Sequence, residues 1–417
     1  MEAHLRPAAP APVTRPGDAG LTPADPGYRR LTVGALCAGL ASFSALYATQ
    51  ALLPTLTDRL GVTPATAALT VSATTGALAL AVVPAGILAE RIGRRRTLRW
   101  SVLTATALTM LLALAPGIRT LIVLRAVQGV AVAGVPAVIM VHLTEEVDRA
   151  HLPAIMGRYV AGTTVGGLMG RLIPSGVLAV ADWRAALLVS GAVAFVAGVV
   201  CARALPAQRR WDPDRVDLRA EVAAFRRHWA TPRLAALFVL PFLLMGVFVS
   251  LYNFLGYRLG DRFGLPEALA GLVFVLYLSG TWSAARAGAF VERFGSGRVT
   301  VAGSAVGVVG LLVLLLPSVV TTVLGALLVT AAFFAVHSTA SALVGRTARR
   351  DRPEASSMYV MCYYVGSCVI GWSSGHVLDL GWSALVIWLT VLQAAALLLC
   401  VWLASTSGTQ VRERSGD

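Results

Sequence analysis

GILAERIGRRR, at residues 86–96, returns about two hundred residues later as GAFVERFGSGR, at residues 288–298. Each copy begins with a glycine near the end of a long apolar run, followed by Glu-Arg, a second glycine and more arginine. A new apolar run starts after each copy. A repeat at half the chain length predicts two homologous halves, and in an apolar chain such symmetry is typical of a membrane carrier.

The composition indicates a membrane protein. Hydrophobic residues make up 57% of the 417 residues and charged residues only 13%, whereas soluble domains have about 25% charged residues. The net charge is +14, but the arginines stand in short tracts between apolar runs, which is typical of topology signals and predicts no nucleic-acid partner. The five cysteines lie within apolar runs without metal-ligand spacing, so we expect no metal site and no cofactor.

Apolar runs of about 20 residues, the length that crosses a bilayer, predict an all-α membrane protein with twelve transmembrane helices. Continuous hydrophobicity excludes the alternating pattern of membrane barrel strands. The helices are predicted at 31–53, 66–88, 97–115, 119–142, 153–178, 183–204, 234–256, 266–290, 297–316, 319–343, 354–378 and 382–404.

These helices divide the chain into two six-helix half-bundles, at 31–204 and 234–404. A disordered N-terminal tail is predicted at 1–30 and a C-terminal tail at 405–417. The segment 205–233 is a basic linker, either a helix on the membrane surface that contacts anionic lipid or a solvated tether.

The arginine distribution predicts the orientation. If the N-terminus is inside, 27 of the 35 arginines lie on the cytoplasmic side, three lie within spans and five lie outside. Positive charge accumulates on the cytoplasmic side of membrane proteins. We therefore expect a multi-pass protein of the bacterial plasma membrane with both termini, the linker and both repeat copies in the cytoplasm.

With these features, the chain from about residue 31 to 404 resembles the major facilitator superfamily, a fold of twelve helices in two half-bundles. The family has a gating motif between its second and third helices, and the matching residues here are Gly86, Glu90, Arg91, Gly93, Arg94 and Arg95. Glutamate stands where the family usually has aspartate. The second copy, at 288–298, occurs where the family has its degenerate repeat.

The gating motif has a physical rationale. Gly86 lacks a Cβ and would let the second helix closely approach a helix of the other half. Glu90 would sit at the positive N-terminal end of the eleventh helix. The motif arginines would pair with acidic residues on the inner surface, with Glu145 and Glu146 as candidates. Together these contacts would hold the inner gate shut; the alternative is an arginine cluster that only sets topology.

Two further helices resemble drug:proton antiporters within the superfamily. Arg125 and Gln128 match an Arg-x-x-Gln-Gly signature of the fourth helix, and the resemblance links this arginine to proton coupling. A charged side chain in hydrocarbon must face a cavity or a partner, or else reach the outer interface by snorkelling. In the fifth helix, Gly162, Gly166 and Gly170 predict a face for tight helix packing, but Gly167 and Arg171 replace the proline and the last glycine of the family signature, which weakens the case for antiport.

Polar and aromatic residues concentrate in a few helices, and we expect the substrate cavity there, near the midplane. The candidate cavity residues are Tyr47, Gln50, Asn253, Tyr257 and Tyr363. His337, in the tenth helix, is either a proton carrier or a hydrogen-bonded core histidine. An aromatic and largely uncharged cavity suits an amphipathic organic molecule.

These observations predict a secondary active transporter that exports a small organic molecule in exchange for protons and functions as a monomer. The alternative is an importer or uniporter of the same fold, because no carboxylate lies deep within a predicted span. An enzyme or a receptor is the alternative from another class. The histidines are scattered, so we expect no enzymatic activity, and we expect no receptor because the sequence shows no soluble signalling domain.

The gating hypothesis predicts that Glu90→Gln weakens the outward-open state, because the neutral amide loses its attraction to the helix end and to the arginines. Transport and the labelling of inner-side cysteines measure the effect. Unchanged transport together with unchanged labelling would contradict a gating role.

Overall fold

The computed structural model describes residues 20–208, 218–348 and 350–414, and these ranges are almost entirely helical. The first half contains helices α1 Pro26–Tyr47, α2 Leu53–Leu60, α3 Pro64–Ile92, α4 Arg94–Leu111, α5 Ile118–Val132, α6 Gly134–Glu146, α7 Leu152–Leu178 and α8 Trp183–Ala204. A linker helix follows, α9 Leu218–Trp229. The second half contains α10 Pro232–Tyr257, α11 Glu267–Gly271, α12 Tyr277–Phe294, α13 Ser296–Val313, α14 Val319–Thr347, α15 Arg352–Leu378 and α16 Trp382–Arg414.

All twelve predicted spans have a helical counterpart, and three of them are broken. α1 and α2 form one span that is interrupted by a 3₁₀ turn at Gln50–Leu52, next to Pro54. α5 and α6 form another, interrupted at Ala133. Prolines cause both breaks, because Pro54 and Pro136 have no N–H to donate to the carbonyl four residues earlier. The third broken span joins α11 to α12 through a 3₁₀ turn at Leu272–Leu276.

Ten helical segments in the described ranges are long and apolar enough to cross a membrane. The two remaining counterparts, α7 and α15, have 27 residues each, which is also a spanning length. They are less hydrophobic because they carry glycine and serine, the residues that let helices pack closely. Each of these helices packs on helices of both halves, α7 on α1 and α11 and α15 on α10 and α3.

The halves are built alike around α7 and α15. In the first half α7 packs on α1, and in the second half α15 packs on α10. A Cβ added to Gly166 would lie 2.6 Å from the Leu40 Cα, and one added to Gly366 would lie 2.6 Å from the Phe242 Cα. Gly162 and Gly170 extend the same α7 face along α1. Backbone therefore meets backbone at matching positions of the two halves.

The repeated motif turns the chain at the same point in each half. Gly93 ends α3 with φ +95° and Gly295 ends α12 with φ +81°, a region that favours glycine. Each glycine N–H donates to a carbonyl of the last helical turn, from Gly93 to Ala89 at 3.0 Å and from Gly295 to Val291 at 2.8 Å. The second glycine of the motif is thus required by backbone geometry in both copies.

The predicted disordered tail, 1–30, is wrong in its last third, while residues 1–19 lie outside the described residues. Helix α1 begins at Pro26, and Leu21 is buried with an exposed fraction of 2%. The Leu21 N–H donates to the Glu146 carbonyl at 2.8 Å, and the Asp148 N–H donates to the Leu21 carbonyl at 3.1 Å. Apolar burial and backbone pairing therefore order this segment against the connection between α6 and α7.

The predicted linker, 205–233, contains α9, while its residues 209–217 lie outside the described residues. Arg227 Nη2 donates to Asp351 Oδ2 at 2.5 Å, and the His228 ring lies 3.1 Å from the Asp351 carbonyl. The Arg227 hydrogen bond lowers the pKa of the Asp351 carboxyl. α9 is therefore bound to the connection between α14 and α15. At the other end of the chain, α16 continues to Arg414 rather than ending at 404, and residues 415–417 lie outside the described residues.

Close packing of α7 on α1 predicts that Gly166→Ala destabilises the protein by about 1–3 kcal/mol, because the new methyl group overlaps the α1 backbone. Gly157→Ala, on the same helix, is the matched control. A Cβ at residue 157 would meet no atom within 4 Å, so alanine should leave stability unchanged or raise it slightly. Thermal unfolding in detergent measures both, and equal midpoints for the two variants would contradict the packing.

Candidate functional site

The two halves meet closely at one end of the bundle, which we call the Gln50 end; the end with Gly93 and Gly295 is the motif end. Hydrogen bonds between side chains join the halves at the Gln50 end. They are Gln50 Nε2 to Asn253 Oδ1 at 2.7 Å, Thr55 Oγ1 to Glu267 Oε1 at 2.7 Å, and Thr57 Oγ1 with Tyr257 OH at 2.7 Å. Deeper in the bundle, Ser367 Oγ donates to Thr75 Oγ1 at 3.4 Å.

Glycines bring the helices of the two halves together at the same end. A Cβ on Gly375 of α15 would lie 2.8 Å from the Ala65 Cβ of α3, and one on Gly76 would lie 2.7 Å from the Cys368 Sγ. At the motif end the pattern is reversed, because a Cβ on Gly86 or Gly288 would meet no atom within 4 Å. The expectation that Gly86 allows close approach to the other half is therefore wrong for this conformation, in which the halves are closed at the Gln50 end.

The other motif residues form contacts within the first half. Arg94 Nη2 pairs with Glu90 Oε1 at 2.6 Å and with Glu145 Oε1 at 3.0 Å, which connects α3, α4 and α6. Arg95 Nε donates to the Leu205 carbonyl at the end of α8, at 3.0 Å. Arg91 is exposed. The pairing of Arg94 with Glu145 matches the expected partner, while the gating role of the motif stays a prediction.

Arg125 is completely buried and serves as a structural junction. Its guanidinium donates to the carbonyls of Thr70, Ala45 and Leu46 and to Gln128 Oε1, at 2.5–2.8 Å. Gln128 in turn donates to the Ala105 carbonyl and to Thr109 Oγ1 of α4, at 2.8 and 2.7 Å. The alternative in which Arg125 snorkels to the outer interface is wrong, because backbone carbonyls satisfy the charge in place.

Arg171, which departs from the glycine signature of the fifth helix, is a buried residue that the sequence pattern does not assign to the substrate cavity. It lies on α7 with an exposed fraction of 1%. Nε donates to Gln50 Oε1 and Nη1 donates to the Gly167 carbonyl, both at 2.6 Å. The guanidinium carbon lies 3.9 Å from the ring centroid of Tyr47, 4.4 Å from that of Tyr277 and 5.4 Å from that of Phe274. A buried cation within a span was the available signal.

The candidate cavity residues separate into two groups. Gln50, Asn253 and Tyr257 border a cavity of about 120 Å³ at the Gln50 end. Tyr47 lies deeper, against Arg171, and packs in one apolar cluster with Tyr363 and Tyr364. The structure therefore places the first group in the contact layer that closes this end, and the second group in the centre of the bundle.

His337 belongs to the central aromatic group. Its Nδ1 lies 2.9 Å from the Tyr359 hydroxyl, and its ring stacks on Phe333 with centroids 5.6 Å apart. The Tyr363 ring is 5.0 Å away. His337 as a whole residue is partly exposed. No group of three His, Cys, Asp or Glu side chains in the described ranges is arranged to hold a metal ion.

The sequence matches a family model and the sequences of known transporters. The family model of the Major Facilitator Superfamily matches residues 34–370. The chain is 35% identical over 378 residues to the inner membrane transport protein YnfM of Escherichia coli (strain K12), with 90% of each chain covered. It is 33% identical over 386 residues to the uncharacterized MFS-type transporter YybF of Bacillus subtilis (strain 168), with 91% of this chain and 94% of that protein covered.

Solved structures share the fold at low sequence identity. A bacterial homologue of the human lysosomal transporter Spinster, in an inward-facing and occupied conformation, is similar with a TM-score of 0.74 and 14% identity, covering 93% of this chain and 98% of that one. A mutant form of the nucleoside transporter NupG is similar with a TM-score of 0.70 and 15% identity, covering 91% of this chain and 98% of that one. The chain belongs to the major facilitator superfamily and is a multi-pass membrane transporter, not an enzyme.

Proposed function

We propose that this transporter exports a small organic molecule by alternating access, driven by protons. The observation that carries the alternating-access proposal is the asymmetry between the two ends. Hydrogen bonds and glycine contacts join the halves at the Gln50 end, while Gly86 and Gly288 face open space at the motif end. A carrier that alternates must pass through one state closed on each side, and this arrangement has the features of one of them.

The expected orientation indicates to which side of the membrane this state is open. If the motif end is cytoplasmic, as the arginine distribution predicts, the central aromatic group faces the cytoplasm and is closed to the outside. An exporter loads its substrate in such a state. The central group, with Tyr47, Tyr363 and His337, then provides an aromatic surface for an amphipathic molecule.

Proton coupling is proposed at His337. It is the ionisable side chain in the central group whose charge changes near physiological pH in ordinary surroundings. Tyr359 contacts Nδ1, and Nε2 has no hydrogen bond within the part of the chain that the structure describes. Arg125, which family resemblance connects to coupling, supports this role indirectly by fixing α1, α3 and α5 to one another. The alternative remains import or uniport by the same fold.

Alternating access predicts that a covalent bond between α3 and α15 stops transport. Gly76→Cys, with native Cys368 retained and the other four cysteines replaced by alanine, places a Cβ about 3.4 Å from the Cys368 Cβ, a separation close to that of a disulfide. Mild oxidation should cross-link the halves, suppress hydrogen exchange at the Gln50 end and abolish efflux of a ligand found by thermal-shift screening. Reductant should restore both.

Gly157→Cys in the same background is the matched control, since residue 157 has no neighbour within 4 Å. It should neither cross-link nor lose transport on oxidation. A protease site inserted in the linker reports cross-linking on a gel, because only cross-linked halves stay together after cleavage. Full transport by the cross-linked Gly76→Cys protein would contradict alternating access.

Coupling at His337 predicts that a pH gradient drives ligand uphill in proteoliposomes and that His337→Gln abolishes this effect while ligand binding persists. Glutamine keeps hydrogen bonding but cannot accept a proton. His376→Gln, on an exposed ring that contacts Trp372, is the control and should behave like the wild type. A wild-type protein whose transport ignores the gradient would favour the uniport alternative.

A further inference from the structure

We propose that Arg171 binds the carboxylate of the transported molecule, so that the substrate class is an organic monocarboxylate with an aromatic or apolar body. The inference rests on the proposed function and deepens it by naming what is carried. It begins with a difference between the two fully buried arginines of the first half.

The protein uses more of the hydrogen-bonding capacity of Arg125 than of that of Arg171. A guanidinium carries five N–H donors. In Arg125 all three nitrogens donate, and four hydrogen bonds reach the protein. In Arg171 Nε and Nη1 each make one hydrogen bond, and the Tyr47 hydroxyl accepts a further one from the side chain, so three of the five donors are used. Arg171 therefore keeps two N–H donors for a further acceptor, and guanidinium groups bind carboxylates through such charge-assisted hydrogen bonds.

The charge of Arg171 is also uncompensated. Within the described ranges no Asp or Glu lies at ion-pair distance from it. Instead, aromatic faces of Tyr47, Tyr277 and Phe274 surround the guanidinium. Cation–π contacts offset only part of the cost of removing a cation from water. A buried arginine in this condition is completed by an anion that arrives from outside the protein.

The polar groups around Arg171 are neutral and include spare donors. Gln50 receives a hydrogen bond from Arg171 and donates one to Asn253. The Tyr277 hydroxyl and Asn253 Nδ2 are buried and have no hydrogen-bond partner among the described residues. A single guanidinium with neutral donors nearby matches a singly charged carboxylate, and it lacks the further cations that a phosphate dianion would call for.

The same place supplies a surface for the rest of the molecule. Tyr277 contacts Arg171 and also packs against the central aromatic group. Its ring centroid lies 6.2 Å from that of Phe334. Tyr277, Phe334 and Tyr363 are all partly exposed. An aromatic or aliphatic body that extends from the carboxylate would lie along these rings.

The position of Arg171 connects binding to the contact between the halves. It is carried by α7 of the first half, while Phe274 and Tyr277 belong to the second. Its partner Gln50 is also the residue that bonds Asn253 across the Gln50 end. An anion at Arg171 would therefore contact both halves and compete for the hydrogen bonds that close this end.

Binding to the purified protein in detergent tests the proposal without a transport assay. The probes are benzoate, 3-phenylpropionate and octanoate, each paired with its primary amide, and benzylamine as a cationic probe. The carboxylates should raise the unfolding temperature and bind with measurable heat, while the amides and benzylamine should not. Each pair keeps the body and changes only the group that Arg171 would recognise.

Arg171→Gln should lower carboxylate affinity by about 10- to 100-fold, the usual effect of removing charge-assisted hydrogen bonds. Arg286→Gln is the matched control, because Arg286 also lies within a predicted span but is exposed and rests on Trp282 at 4.6 Å. It should leave affinity unchanged. If Arg171→Gln fails to fold, Gln50→Glu provides the test. It places an internal carboxylate beside Arg171, and this carboxylate should abolish binding of the added acids.

Several outcomes would overturn the proposal. They are equal binding of acids and amides, preference for benzylamine, failure of all three acids to bind the wild type, or carboxylate binding that survives both Arg171→Gln and Gln50→Glu. None of these outcomes bears on alternating access, which the cross-link to Cys368 tests separately. Conversely, the cross-linked protein could transport at the full rate while carboxylates still bind at Arg171. That result would support the binding site and contradict alternating access.

Discussion

Helices in a bilayer must associate without a hydrophobic driving force, and the rest of this structure depends on that constraint. Lipid tails are as apolar as leucine, so helices in a bilayer stay together through close packing and internal hydrogen bonds. Here the closest packing occurs twice, where α7 lies on α1 and α15 lies on α10. Gly166 and Gly366 stand 200 residues apart and face Leu40 and Phe242 in equivalent ways. Each half is therefore organised around one pair of backbones in contact.

Much of the fold was predictable because its signals are local. Twelve apolar runs gave the spans, and the duplicated motif gave the halves. The structure explains why the motif repeats, since Gly93 and Gly295 both turn the chain with positive φ. The breaks within three spans were harder to predict, because a proline in a membrane helix is tolerated or disruptive according to what its neighbours can satisfy. The order of residues 20–30 depends on a pairing with Val147, which local sequence does not reveal.

The site was predicted less completely, and the reason is the same for each residue. Helix position alone placed Gln50, Asn253 and Tyr257 in a substrate cavity, and they border a cavity of about 120 Å³ within the layer that closes one end. A carrier's cavity and its gate use the same helices, so sequence position cannot separate them. Arg125 and Arg171 carry identical side chains, and only their surroundings distinguish a junction of the scaffold from the proposed binding residue.

The attachment of α9 has a consequence for how far the halves can separate. Through Arg227 and Asp351 this helix belongs to the second half, and Gln208, near Gly93, belongs to the first. Only the ten peptide steps from Gln208 to Leu218 connect the two bodies, which limits the distance between these residues to about 35 Å even at full extension. The linker thus sets a maximum separation at the motif end. Shortening it would restrict the amplitude of opening there without touching any residue that binds a ligand.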